Sequence, residues 1–272
     1  MKRSFIIILI FILQINLYSC SQSLENVQVF IATEDLQVGT NRFSIAVADK
    51  NGLVNSESLE LNFSGEGGYP KFKKDFKFIK FPDYYDTDIN NGIYTEIIDF
   101  EKSGFWKLEI GDTEIEFKVN ELSNSLNVGD LAKRSNNKTI NEENVENLTT
   151  GIPPINIDFY QNKILDLLND KKQFILSIMS PAFCTDPTCG PQMETLNEIR
   201  NEYSKIPIVH VDTYSNPKEV KSSFENRELN LIIDEWGLDE GQWLFIISDK
   251  GMIIAKFQGY ASFGQIAEYL NW

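Results

Sequence analysis

Between Val27 and Glu121 apolar and polar residues alternate with a period of two, which confines this stretch to half-buried strands. Phe43, Ile45 and Val47 alternate with Ser44 and Ala46, and Asn51-Gly52 follows as a turn. Leu59, Leu61 and Phe63 alternate with Glu60 and Asn62. Trp106, Leu108 and Ile110 form one set and Ile115, Phe117 and Val119 another, with Gly111-Asp112 between them as a hairpin turn. From Tyr69 to Tyr85, Lys71, Lys73, Lys74, Lys77 and Lys80 interleave with Phe72, Phe76, Phe78 and Phe81. That pattern predicts an edge strand, aromatics inward and lysines outward, where lysine discourages pairing with another sheet.

After residue 121 the pattern changes. Residues 122–152 are rich in Asn, Ser and Thr and read as a linker. From Pro153 to Trp272 helical and strand patterns alternate. Helices are expected over Asn162–Lys171, Pro191–Tyr203 and Lys218–Asn226, with a last one opened by Ser262. Strands are expected over Phe174–Met179, Ile206–Asp212, Trp243–Ser248 and Met252–Phe257, the last two joined through Asp249-Lys250-Gly251. This order predicts an α/β layered unit.

A chain of 272 residues, 42% of them hydrophobic, can bury two such cores. Its net charge of -15 repels phosphate backbones, so no nucleic-acid partner is expected. The first residues read as a leader: Lys2 and Arg3 precede the apolar run Phe5–Leu13, too short to span a bilayer. The run ends in Leu17-Tyr18-Ser19-Cys20, which resembles the lipobox of bacterial lipoproteins. The resemblance implies a signal peptide over residues 1–19, lipidation of Cys20 and a tether over 20–26. It further implies a mature protein anchored to a membrane of the cell envelope, facing the periplasm or the exterior. Leu36 to Phe43, and Gly92-Ile93-Tyr94 to Gly104-Phe105-Trp106, resemble the small immunoglobulin-like modules of bacterial envelope proteins, which implies a β-sandwich over 27–121.

If Cys20 is lipidated, Cys184 and Cys189 remain. They close a loop too short to stabilise a fold appreciably, which leaves chemistry or metal binding as the reason for the pair. The segment Ser180-Pro181-Ala182-Phe183-Cys184-Thr185-Asp186-Pro187-Thr188-Cys189-Gly190-Pro191 lies between a strand and a helix start, where a thiolate is favoured. Cys189-Gly190-Pro191 at such a junction resembles the active-site turn of the thioredoxin-like superfamily. Trp243 to Gly251 resembles the hairpin of its TlpA/ResA-type envelope thiol–disulfide proteins. Over residues 153–272 this implies a thioredoxin-like α/β fold, and for the whole chain an all-β Ig-like sandwich followed by that fold.

The chain departs from that pattern in three places. Four residues separate the cysteines, and Gln192 stands where a second Cys would follow Cys-Gly-Pro. Gln242 occupies the position of the usual cis-proline, where a trans bond is the default. The strand before the cysteines also lacks a buried acid. Pro187 disfavours a helix through the loop, so the helix is expected to start near Cys189, with Pro191 in its first turn. His210, the single histidine, is expected on a strand near the thiols, as a proton relay, a metal ligand or a residue without a chemical role. Asp186 and Asp212 read as solvated acids.

The leading expectation is a membrane-anchored thiol–disulfide oxidoreductase acting on envelope protein thiols and disulfides, without a cofactor. Cys184 and Cys189 would be catalytic, supported by Gly190, Pro191, Gln242, Trp243 and His210. Cys189 is favoured as nucleophile because it directly precedes Gly-Pro, with Cys184 competing. The alternative is a Sco-like copper-binding protein whose ligands are Cys184, Cys189 and His210. A thiol peroxidase ranks lower, because Pro181 stands where such enzymes have Thr or Ser. In a non-enzymatic reading the Ig-like part binds an envelope partner and the thiols only lock a loop.

Overall fold

The computed structural model describes residues 26–67, 69–82, 91–184 and 188–270. The first region is a single antiparallel sheet. Its strands are β1 (Gln28–Ile31), β2 (Gly39–Asp49), β3 (Gly52–Leu53), β4 (Ser58–Gly65), β5 (Phe72–Lys80), β6 (Gly92–Phe100), β7 (Gly104–Ile110) and β8 (Thr113–Val119). They run in the order β1-β2-β6-β5-β4-β7-β8, with β3 paired to β2. The sheet curls nearly into a barrel. Where its ends approach, Val38 N donates to Asn120 O and Asn120 N to Leu36 O, each at 2.9 Å. Phe43, Phe63, Phe76, Phe100, Phe117 and Trp106 fill the interior.

The second region holds α1 (Ile164–Asn169), β9 (Phe174–Ile178), α2 (Cys189–Glu202), β10 (Ile208–Val211), α3 (Pro217–Ser222), α4 (Leu231–Trp236), β11 (Trp243–Ile247), β12 (Ile253–Gln258) and α5 (Phe263–Ala267). The sheet order is β10-β9-β11-β12; β10 runs parallel to β9, and the other pairs are antiparallel. Strand alternation sends Leu244 and Ile246 into a core with Cys189, Leu196, Ile199 and Ile266. Trp243, Phe245 and Ile247 face the opposite core with Ile164, Leu167, Ile232 and Trp236. Among the described residues no helix is long and apolar enough to cross a membrane.

The expected pairing of an Ig-like sandwich with a thioredoxin-like α/β fold is overturned. A sandwich needs two separate sheets face to face. Here β5 pairs β4 through Ser58↔Lys77 to Phe63↔Phe72, and β6 through Lys77↔Thr95 to Lys80↔Gly92. The strand expected at an edge therefore joins the halves of one continuous sheet. Its lysines still point outward, and Lys73 meets Glu60 of β4 at 2.5 Å. The chain is mostly β, and of the five α-helices among the described residues only α2, with 14 residues, is long. The others have five or six residues. Gly237 shows how one ends: it caps α4 at φ 68°, and a Cβ there would lie 2.1 Å from Asn124 O. The helix expected over Lys218–Asn226 stops at Ser222 and resumes only as the 3-10 turn Phe224–Asn226.

Residues 122–152 are packed rather than loose. Ser125, Ala132, Ser135, Thr139, Leu148, Thr149 and Thr150 are all buried, and Leu131 bridges to Met252. The two regions meet on the outer face of the first sheet. There Ala46, Phe81 and Ile93 enclose Tyr260, and the Arg42 guanidinium donates to the carbonyls of Gln258 (3.2 Å) and Tyr260 (2.5 Å).

Candidate functional site

β9 is wholly buried and lies between β10 and β11, so it fixes the root of the segment carrying the cysteines. That segment leaves β9 at Met179 and ends at Cys189, the first residue of α2. Cys184 and Cys189 form a disulfide with their Cα atoms 6.1 Å apart. Cys189 is 1% exposed, whereas Cys184 is only partly buried. Cys184 is therefore the more accessible sulfur of the pair and Cys189 the buried one. Asp186 and Pro187, like Cys20, fall outside the described residues.

Two glutamines pack under the helix start. Gln242 is 1% exposed and follows a trans bond, the cis bond among the described residues being Pro153–Pro154. Its Oε1 accepts from Thr188 Oγ1 at 2.7 Å, and its Nε2 donates to Gln192 Oε1 at 3.0 Å and to Gly259 O at 3.1 Å. Gln192 Oε1 also accepts from Ala261 N at 2.8 Å. Thr188, the residue before α2, thus turns its hydroxyl to Gln242 and makes no side-chain cap of the helix. The polar residue in the expected proline position is a fully bonded strut. Gln192, read in the sequence only as a missing cysteine, is its partner.

His210 and Asp212 hold the other end of the segment. His210 Nε2 donates to Met179 O at 3.1 Å, and Tyr160 Oη donates to Nδ1 at 2.9 Å. A carbonyl only accepts, so the tautomer is fixed and both ring nitrogens are engaged. Burial pushes the imidazole down to about 4, against the lift from the Met179 carbonyl, and keeps it neutral. Asp212, expected to be solvated, is 2% exposed. It accepts from Thr150 N (2.6 Å), Thr150 Oγ1 (2.8 Å) and Tyr214 N (3.1 Å), and Thr150 Oγ1 lies 2.8 Å from Ser180 Oγ. Burial outweighs these hydrogen bonds and raises its carboxyl to about 6. Asp212 thus ties the end of β10 to Thr150, which in turn meets Ser180 at the start of the cysteine segment.

The remaining expected residues divide. Pro191 lies in the first turn of α2, and a Cβ on Gly190 would meet open space, so that glycine answers no steric demand. Trp243 does not belong to the site: it faces the core opposite Cys189, its Nε1 donating to Asp239 Oδ1 at 2.8 Å. Beside Cys184, Phe183 stacks on Phe224 at 5.3 Å, and the Arg227 guanidinium lies over the Phe224 ring at 4.5 Å. Phe224 is 41% exposed; its place against Phe183, the neighbour of Cys184 in the chain, comes from tertiary packing that local pattern does not carry.

The residues do not fit the copper alternative. A neutral imidazole has one lone pair for a metal, and in His210 that pair accepts from Tyr160. No protein-family model matches the chain, and no curated protein matches it.

Proposed function

We propose that the chain is a thiol–disulfide exchange protein working through Cys184 and Cys189, without a cofactor. The observation that carries the reading is the asymmetry of the disulfide: one sulfur partly exposed, the other buried at the start of a 14-residue helix. A thiolate of a partner protein attacks Cys184 Sγ, and Cys189 departs as a thiolate where the helix N-terminus favours negative charge. In the opposite direction Cys184 attacks a partner disulfide and Cys189 resolves it. The reading takes the chain to be lipid-anchored at Cys20 in the cell envelope, a compartment in which disulfides persist.

Single variants test it. Cys189→Ser is expected to trap a mixed disulfide through Cys184 with a model disulfide substrate, and Cys184→Ser to abolish exchange. Unchanged turnover in both variants, measured by gel shift and mass spectrometry, would remove the proposal.

A further inference from the structure

We infer that the side-chain amide of Gln192 donates a hydrogen bond to the Cys189 thiolate once the disulfide opens, which makes Cys189 the better leaving group. The role in turnover rests on the exchange reading; the interaction itself does not.

Gln192 is completely buried, and its Nε2 has no hydrogen-bond partner among the described residues. An amide N–H left unpaired in a core is as costly as a lost hydrogen bond, so such a group calls for an explanation. Its orientation is fixed. Oε1 accepts from the Ala261 backbone N–H, which can only donate, so a flipped amide would set two donors against each other. Gln242 Nε2 donates to the same oxygen and locks it further. Nε2 is therefore held as a donor that finds no acceptor in the disulfide state.

Gln192 follows Cys189 by three residues on α2, the spacing that sets two side chains on one helix face a turn apart. Long helical side chains lean toward the N-terminus, here toward Cys189. Both residues are buried, so water does not compete for the contact. A disulfide sulfur is a weak acceptor, whereas a thiolate is charged and accepts strongly. The acceptor is thus created by the reaction. As the partner thiolate attacks Cys184 Sγ, a new S–S bond forms to the partner, the Cys184–Cys189 bond breaks, and its electron pair passes to Cys189 Sγ. The partner sulfur is oxidised and Cys189 reduced, with no proton transferred. A leaving thiol of lower pKa leaves faster.

The test removes the donor. In Cys184→Ser protein the Cβ carbon shift of Cys189 is followed by NMR against pH, with and without Gln192→Met. The donor-less variant is expected to titrate about one unit higher, which is about tenfold less thiolate at a pH below both titrations. With both cysteines present and at a pH above the Cys189 titration, Gln192→Met should shift the equilibrium with glutathione about tenfold toward the disulfide. Gln192→Glu keeps an oxygen for Ala261 N–H but puts an acceptor in place of the donor, so it should move both readouts the same way and at least as far. It decides the matter if the methionine variant does not fold. The charged groups on the surrounding elements, Glu194 and Glu198 on α2, Asp212 after β10, and Asp239 and Glu240 before β11, are common to all variants. A folded variant titrating within about 0.3 unit of its parent overturns the inference. Exchange that persists without such a shift overturns this inference alone; a shift without any exchange overturns the exchange reading and leaves the amide–thiolate bond standing.

Discussion

The two sheets bury opposite kinds of interior. Inside the near-barrel, Phe43 contacts Phe63, Phe76, Phe100 and Phe117 with ring centroids 5.1 to 6.3 Å apart, and aromatic and aliphatic side chains dominate that core, the Tyr94 hydroxyl and the Trp106 indole N–H being bonded to Ser56 O and Lys102 O. Around the four-stranded sheet Gln192, Gln242, His210, Asp212, Thr195 and Ser180 are buried alongside the apolar core. An apolar interior gains stability from buried area alone and tolerates no polar misfit. A polar interior gains less, but each hydrogen bond fixes a backbone segment in direction as well as position. In this chain the bonded polar groups converge on one segment, Met179 to Cys189, held at its root by His210 and at its far end by Gln242. Chemistry is expected where the interior is polar, and stability where it is not.

The sharpest break of this comparison is Phe43→Ala. It removes the ring on which four others pack and should cost about 3–5 kcal/mol by denaturant unfolding. The glutathione equilibrium of Cys184–Cys189 should stay within about threefold of the parent in the folded protein. A large redox shift would mean that the apolar region also sets the chemistry.

The second break uses pH. His210 falls to about 4 in the fold from an ordinary value of 6.5, so its contribution is complete above pH 6.5 and is lost as pH drops toward 4. Asp212 rises to about 6 from 3.8, so its contribution is complete below pH 3.8 and is lost as pH climbs toward 6. The slopes oppose each other over nearly the same window, each spanning about 3 kcal/mol. The parent should therefore show a shallow profile between pH 4 and 6.5. His210→Gln should leave stability falling as pH rises, and Asp212→Asn should leave it rising. Urea unfolding across that range checks the signs; parallel profiles in the two variants would mean that these groups do not govern the polar interior.

Alternation in the sequence located β7, β8, β9, β11 and β12 to within a residue or two, because side-chain period reports which face is buried. It carries no information about which strand lies beside which. Hence β5, rich in lysine, reads as an edge although β4 and β6 flank it, and the continuous sheet reads as a sandwich. The cysteine pair was legible from spacing and context, and the disulfide is present. Its asymmetry was not, since burial of Cys189 follows from the packing of α2 against Leu244 and Ile246. Asp212 and Gln192 were illegible for a related reason. A polar residue looks solvated in sequence unless its partners are known, and those partners, Thr150 and Ala261, lie 62 and 69 residues away.

The smallest expected effect concerns how the polar region holds its short helices. α5 has five residues, too few to be stable by its own backbone bonds. It carries a capping box: the Ser262 side chain accepts from Gln265 N, and the Gln265 side chain accepts from Ser262 N at 3.1 Å. Ser262→Ala removes one half of that exchange and should destabilise by about 1 kcal/mol. The residue before it, Ala261, gives its N–H to Gln192, so fraying of α5 reaches the strut beneath Cys189. Hydrogen exchange should accelerate about fivefold at Ala261 and Gln265 while the amides of β2 and β6 in the near-barrel stay unchanged. Equal acceleration in both regions would show that the two interiors open as one unit, and the contrast between them would then be one of composition rather than of stability.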